Sequence, residues 1–301
     1  MNYEDFLTDI ALGDERFIIM TAENRAAIRN INKSLGNRFI DTGITEQTLI
    51  GSSAGLALRG RIPIVHALAC FLTMRAFEFI RTDIGIGELP VKLIAAVPGF
   101  LSEANGPTHQ AVEDISLMRA IPAMCIFCPA DLQDLLIGLK DVLLSPKPFY
   151  IRFNQSESHI LHSNNFEIGK AELLSEGKDL TILTYGILLN EAFEAAKILS
   201  EKNISVRLVN LRTLKPIDEE IILSSVSQTP LLVTLEDHFL TGGLFSIVAE
   251  LLLKNKVTAN VLPIALENKW FKPALYRDLL VNEGFTGRQI AEKILYKLDM
   301  I

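Results

Sequence analysis

The sequence predicts an α/β protein of two domains, each a mainly parallel sheet flanked by helices. Three observations carry that prediction. Short β-branched runs alternate with longer stretches whose apolar residues recur at helical spacing, the rhythm of βαβ units. The alternation loosens once, in the polar stretch "SHILHSNNFEIGKAELLSEGKD", and then restarts. The length of 301 residues suits two cores of ordinary domain size.

In chain order, after an acidic amphipathic start, "RFIIM" predicts a strand, "EQTLIGSSAGLAL" a helix and "IPIVHAL" a strand. "LTMRAFEFIRTDI" predicts a helix, "VKLIAAV" a strand, and "THQAVEDISLMRAI" a helix opened by Thr108 and His109. "MCIFC" reads as a strand and "DLQDLLIGLKDVLL" as a helix before "PFYIRFNQSE" closes the unit. The boundary is set inside the polar stretch, giving domains of residues 1–165 and 166–301. In the second, strands "DLTILTYG", "ISVRLVNL", "PLLVTLED" and "KVTANVLPIAL" alternate with "LNEAFEAAKILSEKN", "PIDEEIILSSVSQ" and "GLFSIVAELLL".

The net charge of -7, from 29 basic and 36 acidic residues, argues against a nucleic-acid surface, which needs clustered Lys and Arg. Apolar stretches such as "IPIVHALACFL" end before the ~18 residues a membrane span requires. The acidic start is unlike a secretory signal, and three cysteines fit a reducing compartment better than a disulfide framework. The expectation is a soluble, cytoplasmic protein with neither nucleic-acid nor membrane partners.

Three stretches could carry chemistry. In "DTGITEQ", Gly43 marks a tight turn, Thr45 is placed to cap a helix, and Glu46 opens it. Spacing alone leaves Glu46 open to a plain reading, a solvated first-turn acid favoured by the helix dipole. In "NGPTHQAVED", Asn-Gly-Pro forces a turn that can direct His109 at a ligand, although a histidine there also serves as a packing or capping group. In "HALACFLTMRAFEFIR", Phe71, Phe77 and Phe79 with Leu68, Leu72 and Met74 read as the apolar side of a buried helix.

Taken together and in order, "GITEQTLIGSSAGLALRGRIPIV", "FLTMRAFEFIRTDI", "NGPTHQAVEDISLMRAIP", "CPAD", "LRTLKPID", "TLEDH" and "GGL" resemble the transketolase family over nearly the whole chain. The resemblance is to the pyrimidine-binding domain followed by the C-terminal domain. It implies thiamine diphosphate with Mg²⁺ as cofactors and transfer of a two-carbon ketol unit between sugars. By the same resemblance, Glu46 contacts N1′ of the aminopyrimidine and acts as its tautomer switch, since a carboxyl in a dry pocket can hold a proton near neutral pH. Phe71 is the ring that stacks on the aminopyrimidine, with Leu68 and Met74 on neighbouring positions of the same helix, where the family is usually aromatic. Glu23 takes a place near the cofactor often held by Asp. His109 approaches the donor's hydroxyls and moves protons during cleavage.

Departures concern the substrate. Asn105 replaces an aspartate that helps to read the donor's hydroxyls. The family's phosphate-holding residues fall near Ala27, Val97 or Pro98, and Gln155, so Arg152 is the cation expected to take part of that task. No Gly-Asp-Gly occurs, the motif that holds Mg²⁺ and the diphosphate in thiamine enzymes. The resemblance therefore implies a partner, an N-terminal transketolase subunit carrying that motif and most of the Mg²⁺ coordination, in a 2+2 heterotetramer built on a homodimer of this chain. No metal ligand is assigned within the chain. The alternatives are a reaction like that of 1-deoxyxylulose-5-phosphate synthase, a 2-oxoacid-decarboxylating subunit, or a non-catalytic scaffold.

Two pairs are set aside. Cys125 and Cys128 form C-x-x-C, but residues three apart in an apolar strand face opposite sides. His159 and His162 form H-x-x-H in a stretch read as solvated loop. "TLEDHFLTGG" places His238 near the domain interface.

Overall fold

The structure, a computed structural model, describes every residue except Asn268 and Ile301. The first half runs α1 (Tyr3–Gly13), β1 (Phe17–Thr21), α2 (Ile31–Leu35), β2 (Phe39–Asp41), α3 (Glu46–Leu58), β3 (Ile62–Leu68), α4 (Phe77–Phe79), β4 (Lys92–Ala96), α5 (Asp114–Arg119), β5 (Cys125–Phe127), α6 (Leu132–Leu144) and β6 (Phe149–Phe153). The second runs β7 (Glu172–Ser175), β8 (Leu180–Thr184), α7 (Leu189–Ser200), β9 (Val206–Asn210), β10 (Thr213–Lys215), α8 (Glu219–Gln228), β11 (Leu232–Phe239), α9 (Leu244–Lys254), β12 (Val261–Leu266), α10 (Tyr276–Glu283) and α11 (Gly287–Leu298).

Two sheets result, in the orders β10-β5-β6-β4-β3-β1-β2 and β12-β11-β8-β9-β7. Only β10 on β5 and β7 on β9 pair antiparallel. Strands β1, β6, β8 and β9 are buried throughout, which is why they read as continuous apolar runs rather than alternating ones. One face of the first sheet packs on α1 and α6. The other packs on α3, and that core continues into Leu183, Tyr185, Leu211 and Leu244 of the second half. With β10 returning to the edge of the first sheet, the two halves share both a core and a sheet.

Local departures from the sequence expectation have physical causes. The helix expected from Thr108 begins only at Asp114, because Gly106 (φ 70°) turns the chain and Ala111 bridges to Gly99 as extended backbone. The stretch expected as one helix from 72 to 84 is wide-turned and π-helical over Phe71–Arg75 and Ile80–Gly85, interrupted by α4. Leu68 is consequently not on that helix. It ends β3, paired with Ala96. The closing helices α10 and α11 were not anticipated, although Thr286 and Gln289 form a capping box that is legible as T-x-x-Q.

His162 is a further correction. It is buried rather than solvated, with Asp131 Oδ2 2.9 Å from Nε2 and Glu172 Oε2 2.7 Å from Nδ1. Arg212 Nε lies 2.6 Å from Asp134 Oδ1, and its Nη2 3.0 Å from Glu172 Oε1. Burial opposes the charged imidazole, but Asp131, Glu172 and Asp134 outweigh it and push its pKa up to about 10. Asp134, Glu172 and His162 come within metal-ligand reach of one another. His162 and Glu172 hydrogen-bond to each other and Arg212 forms ion pairs with Asp134 and Glu172, so the group is an ion cluster that ties α6, the connecting segment and the second sheet together. Among the described residues no helix is long and apolar enough to cross a membrane.

Candidate functional site

The site is built at the carboxyl ends of β1 and β2, where ligands collect in open parallel sheets. Asp41 closes β2 and accepts from the Gly43 N–H (2.9 Å) and the Glu23 N–H (3.2 Å), while Arg25 pairs with its other oxygen. Burial raises the Asp41 pKa, but these donors outweigh it and hold the carboxyl below its ordinary value. Gly43 takes φ 71°, the left-handed turn that its lack of a Cβ permits. Thr45 does not cap with its side chain. Its hydroxyl donates to the Thr42 carbonyl (2.9 Å), and α3 starts at Glu46 with the carboxylate turned inward, 2% exposed.

One cation meets that carboxylate: Arg75 Nη1 donates to Glu46 Oε2 at 2.9 Å. The same guanidinium carbon stands 4.0 Å from the centroid of the Phe71 ring. The His109 ring meets Phe71 edge-on, with centroids 5.2 Å apart, and Thr108 Oγ1 lies 2.8 Å from His109 Nδ1. A cleft of about 350 Å³ opens here, walled by Glu23, Arg25, Ile44, Glu46, Leu68 and Phe71.

Of the residues singled out from sequence, Glu23, Glu46, Leu68 and Phe71 therefore line one cleft, and His109 stands against Phe71. Met74 is 40% exposed and is not part of the cleft wall. Asn105 is exposed at the end of the short turn Phe100–Asn105, and its side chain makes no hydrogen bond among the described residues.

Arg152 is a correction. Instead of facing substrate, it is 3% exposed, with Nε 2.9 Å from Asp114 Oδ2 and Nη1 2.6 Å from Asp237 Oδ1. Burial lowers its pKa, but the two carboxylates outweigh that and hold it charged. Asp114 also accepts from the Tyr150 hydroxyl at 2.8 Å. The arginine is therefore a buried tie between β6, α5 and β11. His238 lies in the same boundary, fully buried, accepting the Ser116 N–H at Nε2 (3.3 Å) with Nδ1 2.6 Å from the Phe239 carbonyl. Cys125 and Cys128 are free and buried, and burial pushes both thiols up, which leaves them protonated and inert.

Sequence reasoning missed Arg75, Asp114 and Asp237. Arg75 had a signal, being four residues after Phe71 on a stretch read as helical. The acids had none, because they lie 38 and 85 residues from Arg152.

Comparison with known proteins agrees across the chain. The family described as "Transketolase, pyrimidine binding domain" matches residues 3–159, and "Transketolase, C-terminal domain" matches residues 169–290. A Methanocaldococcus jannaschii protein provisionally named a transketolase C-terminal section is 33% identical over 302 residues, covering 98% of this chain and 95% of that protein. The 6-deoxy-6-sulfo-D-fructose transketolase subunit of a Clostridium species is 37% identical over 257 residues, covering 84% of this chain and 80% of that one. A 1-deoxy-D-xylulose-5-phosphate synthase of Dictyoglomus thermophilum is 37% identical over 269 residues, 87% of this chain but only 43% of that enzyme. Among solved structures, a chain titled "Split gene transketolase, inactive beta4 tetramer" superposes with a TM-score of 0.89 at 34% identity, over 99% of this chain and 97% of that chain.

Proposed function

The chain belongs to the transketolase family, and on that premise we propose that it is the C-terminal subunit of a split, thiamine-diphosphate-dependent transketolase that moves a two-carbon ketol unit from a ketose donor to an aldehyde acceptor. The observation that carries the reading is Glu46. It is a buried carboxylate with one oxygen held by Arg75 and the other unbonded among the described residues, at the wall of a cleft whose next wall is an aromatic ring.

An aminopyrimidine fits that arrangement. It needs a carboxyl partner, a ring to stack on and apolar walls, which Glu46, Phe71, Ile44 and Leu68 supply. When bound, thiamine diphosphate supplies the electron sink for breaking a carbon-carbon bond. Glu46 holds a proton at N1′ of the pyrimidine, and Phe71 fixes the ring's plane. His109, with Nδ1 engaged by Thr108, has Nε2 left to exchange a proton with a donor hydroxyl. Asn105, exposed on the turn before Gly106, is assigned to the donor's hydroxyls on the family resemblance, its exposure leaving it free to do so.

The cleft's one cation, Arg25, is already paired with Asp41, so the diphosphate and its Mg²⁺ are assigned to an N-terminal partner subunit, two copies of each chain making the assembly. Its free cysteines suit a cytoplasmic enzyme. The identity to 1-deoxy-D-xylulose-5-phosphate synthases supports a second reading, with a 2-oxoacid as donor. Reconstitution with the partner and a donor screen separates the two. Ketol transfer from ketoses without CO₂ supports the first, and CO₂ release from pyruvate supports the second. Full activity from the partner with this chain omitted would leave only a scaffold.

A further inference from the structure

Arg75 touches both residues that form the proposed pyrimidine seat, yet it is not part of the cleft wall. We infer that Arg75 is a positioning residue for the aminopyrimidine, holding the Glu46 carboxylate and the Phe71 ring in one geometry. The inference rests on the proposed cofactor reading.

The Glu46 side chain is 3% exposed, and its sole hydrogen bond among the described residues comes from Arg75. Without that donor a buried carboxylate is left unpaired and free to rotate, and its second oxygen no longer has a defined direction. The guanidinium carbon lies over the Phe71 ring, 4.0 Å from its centroid, a cation–π contact that restrains the ring. A pair between two exposed side chains would contribute little. Here one member is buried and the other is stacked.

The local backbone explains how one side chain reaches both. Between Phe71 and Arg75 the helix widens, and the Ala76 N–H bonds the Phe71 carbonyl five residues back at 3.1 Å. Arg75 follows Phe71 by four residues, which keeps the two side chains on one face of this turn. Apart from the edge of His109, 5.2 Å away, the positions beside the ring are held by an aliphatic Leu68 on β3 and a Met74 that is 40% exposed. Arg75 takes over the bracing that aromatic side chains at those positions would provide.

The test is calorimetric titration of the assembled complex with Mg²⁺ and either thiamine diphosphate or its analogue in which N1′ is replaced by a CH group. Arg75→Met is expected to weaken thiamine diphosphate about tenfold more than the analogue, the loss of one charge-assisted hydrogen bond. Arg75→Lys, which keeps a cation beside Glu46, is expected to recover part of that difference. Glu46→Gln should show the same discrimination between the ligands. Equal weakening of both by Arg75→Met would reduce Arg75 to packing, and tighter binding would mean that it blocks the seat. Either result, or no change, overturns the inference while the Glu46 arm still stands. If Glu46→Gln fails to discriminate, the cofactor reading falls, and the inference with it.

Discussion

Glu46 combines three properties seldom found in a first-turn acid: burial, a single cationic partner and a free oxygen at a cleft. In the reconstituted assembly, Glu46→Gln should lower turnover by about 10² or more, the usual contribution of a positioned acid-base group, and steady-state rates measure it directly. His109→Asn should lower turnover by a comparable factor while leaving thiamine diphosphate affinity within about twofold, because the proposed role of His109 is toward the donor rather than the pyrimidine. Comparing calorimetric affinity with turnover separates those effects. Spacing alone left Glu46 and His109 open to plain readings, and the resemblance carried by "GITEQ", "FLTMR" and "NGPTHQ" is what singled them out. Arg152 was misread. Its direction is set by Asp114 and Asp237, and no local pattern encodes partners so far away in sequence.

Elements meet at two buried ion clusters, and each has a measurable signature. At the Arg152 cluster, Gly99 takes φ 55°, and a Cβ there would stand 1.9 Å from Asp237 Oδ2 and 2.6 Å from Arg152 Nη2. Gly99→Ala should cost about 2 kcal/mol or more of stability by denaturant unfolding, from strain and displaced charge together. At the His162 cluster, the folded pKa of about 10 lies above the ordinary 6.5. Its contribution is therefore fully present below pH 6.5 and lost as pH rises through 10. His162→Gln should flatten the fall of melting temperature across that window, as thermal scans at stepped pH would show. The sequence made α3 legible to the residue, since Gly43 and Thr45 mark its start. It did not reveal the wide turns after Phe71, because an apolar period near four fits an α-helix and a π-turn alike.

At the scale of the whole molecule, β10 crosses from the second half to the first sheet, and the core on the α3 face continues between halves, so the two units pack as one body. The fold class was legible because fully buried parallel strands and amphipathic helices leave distinct periods in sequence. The shared edge strand was not, since three residues, "TLK", carry no period at all. The proposed pyrimidine seat has no free cation for a diphosphate among the cleft's described residues. The most direct test is calorimetric titration of thiamine diphosphate with Mg²⁺ into this chain alone, and then into its mixture with an N-terminal transketolase subunit. Binding that emerges only in the mixture is the predicted result, and tight binding to the chain alone would contradict the shared site.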